Sequence, residues 1–409
     1  MFKKLIVLAL LIFTLTACTY GTGTGTKTKE KTTTDDNTVV ELKDKPVTGV
    51  DPEWNEPLGY YNYSPSAMKV SDTEMYVYYT RNEEIFNDKT DSIVVRKATL
   101  NSEGKWEYSD FKTVLTSTKD KNDWDGIYIF GADVIKGRFT YNGEQYSYLM
   151  AYCGSVVSGR MNSQIGLAVA KNPMDEFVKI SDEPIIKYDP LEQSASGLKR
   201  YKGVQEPSLV SYDKKGKVQL FYSHYGLYNH SYCIEMDCSD LSNIKMGGRM
   251  LPKTNGLSDA TTNTHFYSAD WSYDPVNDNY YVVRNFSSTT SGEPQVAEAV
   301  QIVYSNSSAL TETNVPRDYE YWKLINEKFY KIGAIKTSDD YSTNEMKWSG
   351  YYRVYNATVI SDQYGWISSP TKVEILFTSS ALNTSKYLTG DEYKYSQMIH
   401  YYSVDIVIE

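Results

Sequence analysis

From about Asp51 to the C-terminus, short runs of Tyr, Val, Ile and Phe alternate with Asp, Asn, Gly and Lys turns, and helical periodicity is nearly absent. β-Branched and aromatic runs bounded by turn-forming residues predict strands, and strands spaced this regularly predict an all-β sandwich, barrel or propeller. Internal repetition separates these three. One pattern returns five times: a small or acidic residue, a strand, a polar turn and an aromatic strand. It begins as Tyr63-Ser64-Pro65-Ser66 ahead of Met75-Tyr76-Val77-Tyr78-Tyr79, and returns as Gly131-Ala132-Asp133 ahead of Tyr146 to Tyr152. The third copy is Gly203-Val204-Gln205-Glu206-Pro207-Ser208 ahead of Val218 to Ser223. Two looser copies follow, Tyr267 to Trp271 ahead of Asn279 to Val283, and Tyr355 to Ile360 ahead of Lys372 to Phe377. With Pro65, Asp133, Pro207, Asp270 and Thr358 as markers, each interval has room for a four-stranded blade and its loops. The pattern therefore predicts an all-β chain folded as a five-bladed β-propeller.

The first strand of each propeller blade lines the central channel, so the residues opening those strands converge at one end of the axis. Ser64, Asp133, Glu206, Asp270 and Asn356 are expected to form that ring. Glu206 leads the candidates, because a carboxylate just ahead of a Pro-Ser-Leu-Val strand is costly to bury and should face a cavity or solvent.

Tyrosine is abundant, 38 residues against 12 Phe and 7 Trp. Such rings suit sheets and also stack on sugars. Trp54, Tyr63, Trp124, Trp271 and Trp348 are the candidate stacking platforms. Lys plus Arg number 42 and Asp plus Glu 52, for a net charge of -10 with no basic cluster, which argues against a nucleic-acid partner. With four His in the chain and no Cys/His spacing that fits zinc, neither metal nor cofactor is expected. Cys153, Cys233 and Cys238 are expected as buried thiols.

The N-terminus suggests where the domain works. Lys3 and Lys4 precede an apolar run from Leu5 to Phe13, followed by Leu15-Thr16-Ala17-Cys18, the charged, apolar and small-residue order of an export signal. The run is too short for a permanent membrane helix. Leu-Thr-Ala-Cys resembles the lipobox of bacterial lipoproteins, which implies cleavage before Cys18 and lipidation of its thiol. The expected organisation is a signal over 1–17, a lipidated tether poor in apolar residues over 18–47, and the propeller over 48–409. The expectation is a monomer on the extracytoplasmic side of the membrane, held by its lipid alone.

Ile165-Gly166-Leu167-Ala168-Val169-Ala170-Lys171-Asn172-Pro173-Met174, with Phe177-Val178-Lys179 and Glu183-Pro184-Ile185-Ile186, resembles the outer strands of a blade in five-bladed glycosidases. The chain is most similar in pattern to glycoside hydrolase family 43, with families 32 and 117 as relatives. The resemblance implies three carboxylates: a general base in blade one, an orienting aspartate in blade two and a glutamate acid in blade three. Asp133 corresponds to the second and Glu206 to the third. Blade one departs from the pattern, with Ser64-Pro65-Ser66 where family members read Asp-Pro-Ser.

Inverting hydrolysis needs an acid on the leaving oxygen and a carboxylate base roughly 6.5–9.5 Å away. Ser64 has no flanking His or Lys to activate it. Asp270, then Asp125, Asp123 and Asp51, are the carboxylates that could substitute, and His265 could hold a water or ion in the channel. Two readings follow. One is a hydrolase acting on arabinose- or xylose-containing glycans, with Glu206, Asp133 and Asp270 as catalytic groups and Ser64, Trp124, Trp271 and Asn356 binding substrate. The other is a catalytically inactive propeller that binds oligo- or polysaccharide.

Overall fold

The computed structural model of the chain describes residues 62–84, 87–188, 202–225, 230–257, 266–286, 299–311, 321–325, 353–369, 371–380 and 397–405. Among these nearly all the regular structure is strand. Cys18, Asp51, Trp54, His265 and Trp348 lie outside the described residues.

Antiparallel meanders follow one another along the chain. The first runs through Asn62–Ser71, Glu74–Glu84 and Asn87–Leu100, with Trp106–Tyr108 and Lys112–Leu115 both paired to its third strand. The second is Tyr128–Tyr141, Glu144–Ser155, Gln164–Ala170 and Val178–Lys179, so the stretch that carries the family resemblance forms outer strands as expected. The third is Gly203–Ser211, Lys217–Tyr225, His230–Asp237 and Lys245–Met250. The fourth is Tyr267–Asp274, Asn279–Phe286, Ala299–Asn306 and Lys323–Leu324. Arg353–Val359, Lys372–Ser380 and Gln397–Asp405 make the last one described. Each inner strand lies against the next, and that of the last meander lies against that of the first, so the ring closes as a β-propeller.

The second strand of a meander is apolar on both faces because both are covered. Met75, Val77 and Tyr79 face Leu376 and Ile399 of the last meander, whereas Tyr78, on the opposite face, packs with Ile129 and Met150 of the second. Leu149, Ala151 and Cys153 likewise face Leu209, Leu220 and Tyr222 of the third, leaving Met150 and Tyr152 for the first. Sheets stacked face to face around an axis account for the near-continuous aromatic runs.

At one end the channel is closed by the segment from Ser361 to Ile367. Ser361 and Asp362 pair in parallel with Met68 and Lys69. Gln363 O then accepts from Lys136 N, Tyr364 O from Ser211 N and Gly365 O from Tyr273 N. The segment crosses the ends of the inner strands of the first four meanders and satisfies their leftover backbone donors.

Candidate functional site on the propeller axis

The five described inner strands carry the same β-bulge. Between Tyr63 and Ser66 the first strand advances three residues while its partner advances two, from Thr80 to Tyr78. The same shift recurs at Phe130/Asp133, Gln205/Ser208, Tyr267/Asp270 and Tyr355/Thr358. In each the first bulge residue is left-handed: Ser64 at φ 49°, Gly131 at 55°, Glu206 at 57°, Ser268 at 43° and Asn356 at 45°. Four of these are not glycine, an unfavourable choice that a site can exploit to re-aim a side chain. The second residue is always Pro or Ala, and the third is Ser66, Asp133, Ser208, Asp270 or Thr358.

The five bulges line one pocket of ≈ 370 Å³, a volume that includes its open mouth. Every first and second bulge residue lines it, together with Ser66, Asp133 and Asp270 from the third positions. Their register corrects the expected single ring. Ser64, Glu206 and Asn356 share the first tier with Gly131 and Ser268, whereas Asp133 and Asp270 belong two residues further along, in the tier of Ser208. As repeat markers, Asp133, Asp270 and Thr358 stand one residue past Ala132, Ala269 and Ala357, the true equivalents of Pro65 and Pro207.

The third positions bind the sheets together. Asp133 Oδ2 accepts from Leu209 N at 2.6 Å, Ser208 Oγ from Trp271 N at 3.0 Å and Asp270 Oδ2 from Val359 N at 2.8 Å. Ser66 donates to Asp133 Oδ1 at 2.6 Å, and Thr358 donates to Asp270 Oδ2 at 2.8 Å. Burial pushes the Asp133 carboxyl upward, against these donors. Burial, and then the nearby Asp133 charge, push Asp270 up to about 7. Two neighbouring carboxylates that are both largely desolvated resist ionising together.

A second set of contacts fixes the first tier from behind. Ser64 N donates to Thr378 Oγ1 at 3.1 Å, Gly131 N to Thr80 Oγ1 at 2.8 Å and Asn356 N to Asn285 Oδ1 at 2.9 Å. Glu206 N uses the buried Cys153 thiol in the same way. Cys153, Cys233 and Cys238 are all free and buried, as expected.

Glu206 is the sole carboxylate of the first tier. Its Oε2 accepts from Tyr225 OH at 2.7 Å and its Oε1 from Ser268 Oγ at 2.5 Å. Asn356 Nδ2 donates to Ser64 Oγ at 2.6 Å, which frees the Ser64 proton for a ligand. Sequence reasoning missed Ser268 and Tyr225. The αL-Pro/Ala-polar signature would have revealed Ser268, but Tyr225 reaches Glu206 only through strand pairing.

The tryptophan candidates are corrected. Trp271 is 2% exposed, stacked on Phe221 at 4.3 Å and packed with Phe266 and Trp322. Trp124 stacks on Tyr152 at 5.7 Å and covers Gly154 and Gly166, away from the pocket lining. Both follow the hydrophobic drive to fill space between sheets. Tyr63 is buried too, donating to Asp91, which holds Arg160 in a two-point ion pair. Asp125 is buried and engaged by Tyr152 OH and Lys179, and Asp123 accepts from Thr118 in the same loop, so neither lines the pocket. Among the described residues no group of three or more His, Cys, Asp and Glu could hold a metal.

No family model matches the sequence, and no curated protein matches it. Solved structures do match. The catalytic domain of a family 62 α-L-arabinofuranosidase from Coprinopsis cinerea is 12% identical with a TM-score of 0.52, covering 87% of this chain and 93% of that one. An α-L-arabinofuranosidase from Podospora anserina, solved with cellotriose, is 10% identical with a TM-score of 0.50, covering 88% and 95%. A family 62 hydrolase in complex with xylotriose is 11% identical with a TM-score of 0.51, covering 88% and 95%. The chain is a glycosidase-like β-propeller, the fold that its resemblance to family 43 implied.

Proposed function

We propose that this is a five-bladed propeller whose axial pocket binds the terminal sugar of a glycan without cleaving it. The observation that carries this reading is the register of the five bulges. Where Glu206 stands in the third, the others present Ser64, Gly131, Ser268 and Asn356, so among the described residues the first tier offers one carboxylate. Inverting and retaining hydrolysis both need two. Asp133 and Asp270 are the nearest substitutes, and each accepts a backbone N–H from a neighbouring sheet. Glu206 itself accepts two hydroxyl hydrogen bonds, and its remaining lone pairs can accept further ones from sugar hydroxyls. Arabinose- and xylose-containing glycans are the first ligands to try, given what the structural neighbours are named for. Lys3, Lys4, the Leu5 to Phe13 run and Cys18 support display from a lipid anchor on the extracytoplasmic face.

Hydrolysis is the second reading, favoured by the fold and by Asp270, whose raised carboxyl could hold a proton near neutrality. Binding and turnover should be measured together on arabinan, xylan and their oligosaccharides, for wild type and Glu206→Gln. Saturable binding without released sugar supports the binding reading. Release abolished by Glu206→Gln or by Asp270→Asn overturns it in favour of a glycosidase.

A further inference from the structure

The charge of the pocket says which sugars it selects, an inference that rests on the carbohydrate reading above. Its lining contains three ionisable residues, Glu206, Asp133 and Asp270, and all three are carboxylates. Neither Arg160 nor Lys202 is among the lining residues: Arg160 is paired with Asp91, and the Lys202 ammonium sits over the Tyr225 ring at 4.9 Å. Asp133 and Asp270 share one buried, mutually repelling environment, so the negative potential of the site is anchored on Glu206. The hydrogen-bond inventory points the same way. Glu206 Oε1 and Oε2 each keep lone-pair capacity after accepting from Ser268 and Tyr225, and Ser64 Oγ keeps one after accepting from Asn356. Ser64 can also donate its hydroxyl proton, so the acceptors concentrate at the Glu206 carboxylate.

We infer that the axial pocket is selective for sugars carrying a protonated amine, takes neutral sugars less well and rejects uronic acids. An ammonium brings three donors and one positive charge to the Glu206 carboxylate, whereas a uronate would bring a second anion beside it. A charge-assisted hydrogen bond in a partly desolvated site is worth about tenfold or more in affinity over its neutral counterpart.

The test is a titration of the purified protein with methyl glycosides of glucosamine, glucose, N-acetylglucosamine and glucuronic acid, followed by ligand-observed NMR at about pH 6, where the amine is protonated. The expected order is the amine about tenfold or more ahead of the neutral sugars, with no detectable uronide. Glu206→Gln, shown to be folded by circular dichroism, should erase the amine's advantage while leaving the neutral sugars within a few-fold. Neutral sugars binding as well as the amine, or a uronide binding at all, would overturn the inference and leave sugar binding intact. If none of the four binds and arabinose and xylose glycosides also fail, the carbohydrate reading falls with it.

Discussion

Tyr225 donates its phenolic proton to Glu206 Oε2 at 2.7 Å, from the end of the second strand of the meander whose inner strand carries the carboxylate. Burial first, and then the Glu206 charge, raise the Tyr225 hydroxyl well above its ordinary value, so it remains a donor throughout the accessible pH range. Together with Ser268 it fixes the rotamer of the one charged group in the first tier. Tyr225→Phe should therefore weaken glycan binding by about three- to tenfold, the value of one ordinary hydrogen bond, because the hydroxyl acts on the ligand only through the Glu206 rotamer. Thermal stability should move little, because the ring stays in place. An unchanged affinity by calorimetry would mean that Glu206 needs no such orientation.

Stability should fall as pH rises toward neutrality, and Asp270 is the group to blame. Its folded carboxyl is raised to about 7 by burial and by Asp133, against about 3.9 unfolded. A raised acid holds its proton more tightly in the native state. Its stabilising contribution is therefore complete below the unfolded value and is lost as pH climbs through the folded one. Asp270→Asn removes that loss while keeping an acceptor for Thr358 and Val359. The melting temperature of the variant minus that of wild type should grow between pH 5 and pH 8 by about 2–4 °C, corresponding to about 1–2 kcal/mol once solvent access from the pocket is allowed for. Parallel curves for the two proteins would refute the shift.

Cys153 behaves as one of five equivalent positions, the others being Thr80, Ser223, Asn285 and Thr378, each opposite the residue that precedes a bulge. What these residues share is an atom that can take part in a hydrogen bond, and at Cys153 it accepts the Glu206 N–H. Cys153→Thr should fold and bind as wild type, since the equivalent Thr80 already serves Gly131. Cys153→Val has nearly the same volume and leaves a buried N–H without a partner, so it should cost about 1–3 kcal/mol. Equal urea midpoints for the two variants would show that volume alone matters at this position.

The sequence made the strands, the repeat and the axial convergence legible, because each rests on local chemistry: aromatic runs, polar turns and a small polar residue ahead of Pro or Ala. Register was harder. A bulge changes which residue faces the channel without changing composition, so Asp133 looked equivalent to Glu206 although its counterpart is Ser208. The tryptophans misled for a different reason. Trp271 and Trp124 have the right type and approximate place for sugar stacking, but burial between sheets uses the same rings. The closing segment around Gly365 carries no local signal at all, since its hydrogen bonds join residues far apart in the chain.

Gly131 and Gly365 are both left-handed, at φ 55° and 75°, yet their surroundings differ. At Gly365 an added Cβ would stand 2.3 Å from the Leu209 carbonyl oxygen, a backbone atom that cannot retreat without breaking the closing segment. Gly365→Ala should accordingly cost several kcal/mol, on the scale of other strained backbone replacements. At Gly131 the same atom would meet Cys153 Sγ at 3.7 Å, an ordinary contact. Gly131→Asp should fold with a loss of about 1 kcal/mol, the strain of a left-handed non-glycine residue. It would give the first tier a second carboxylate on the sheet next to that of Glu206. Such a variant should deepen the pocket's negative potential and tighten an aminosugar glycoside by several-fold without raising the affinity of a neutral one. Titration of both ligands against wild type and Gly131→Asp checks this, and a variant that binds the two equally would show that the position 131 side chain does not face the ligand.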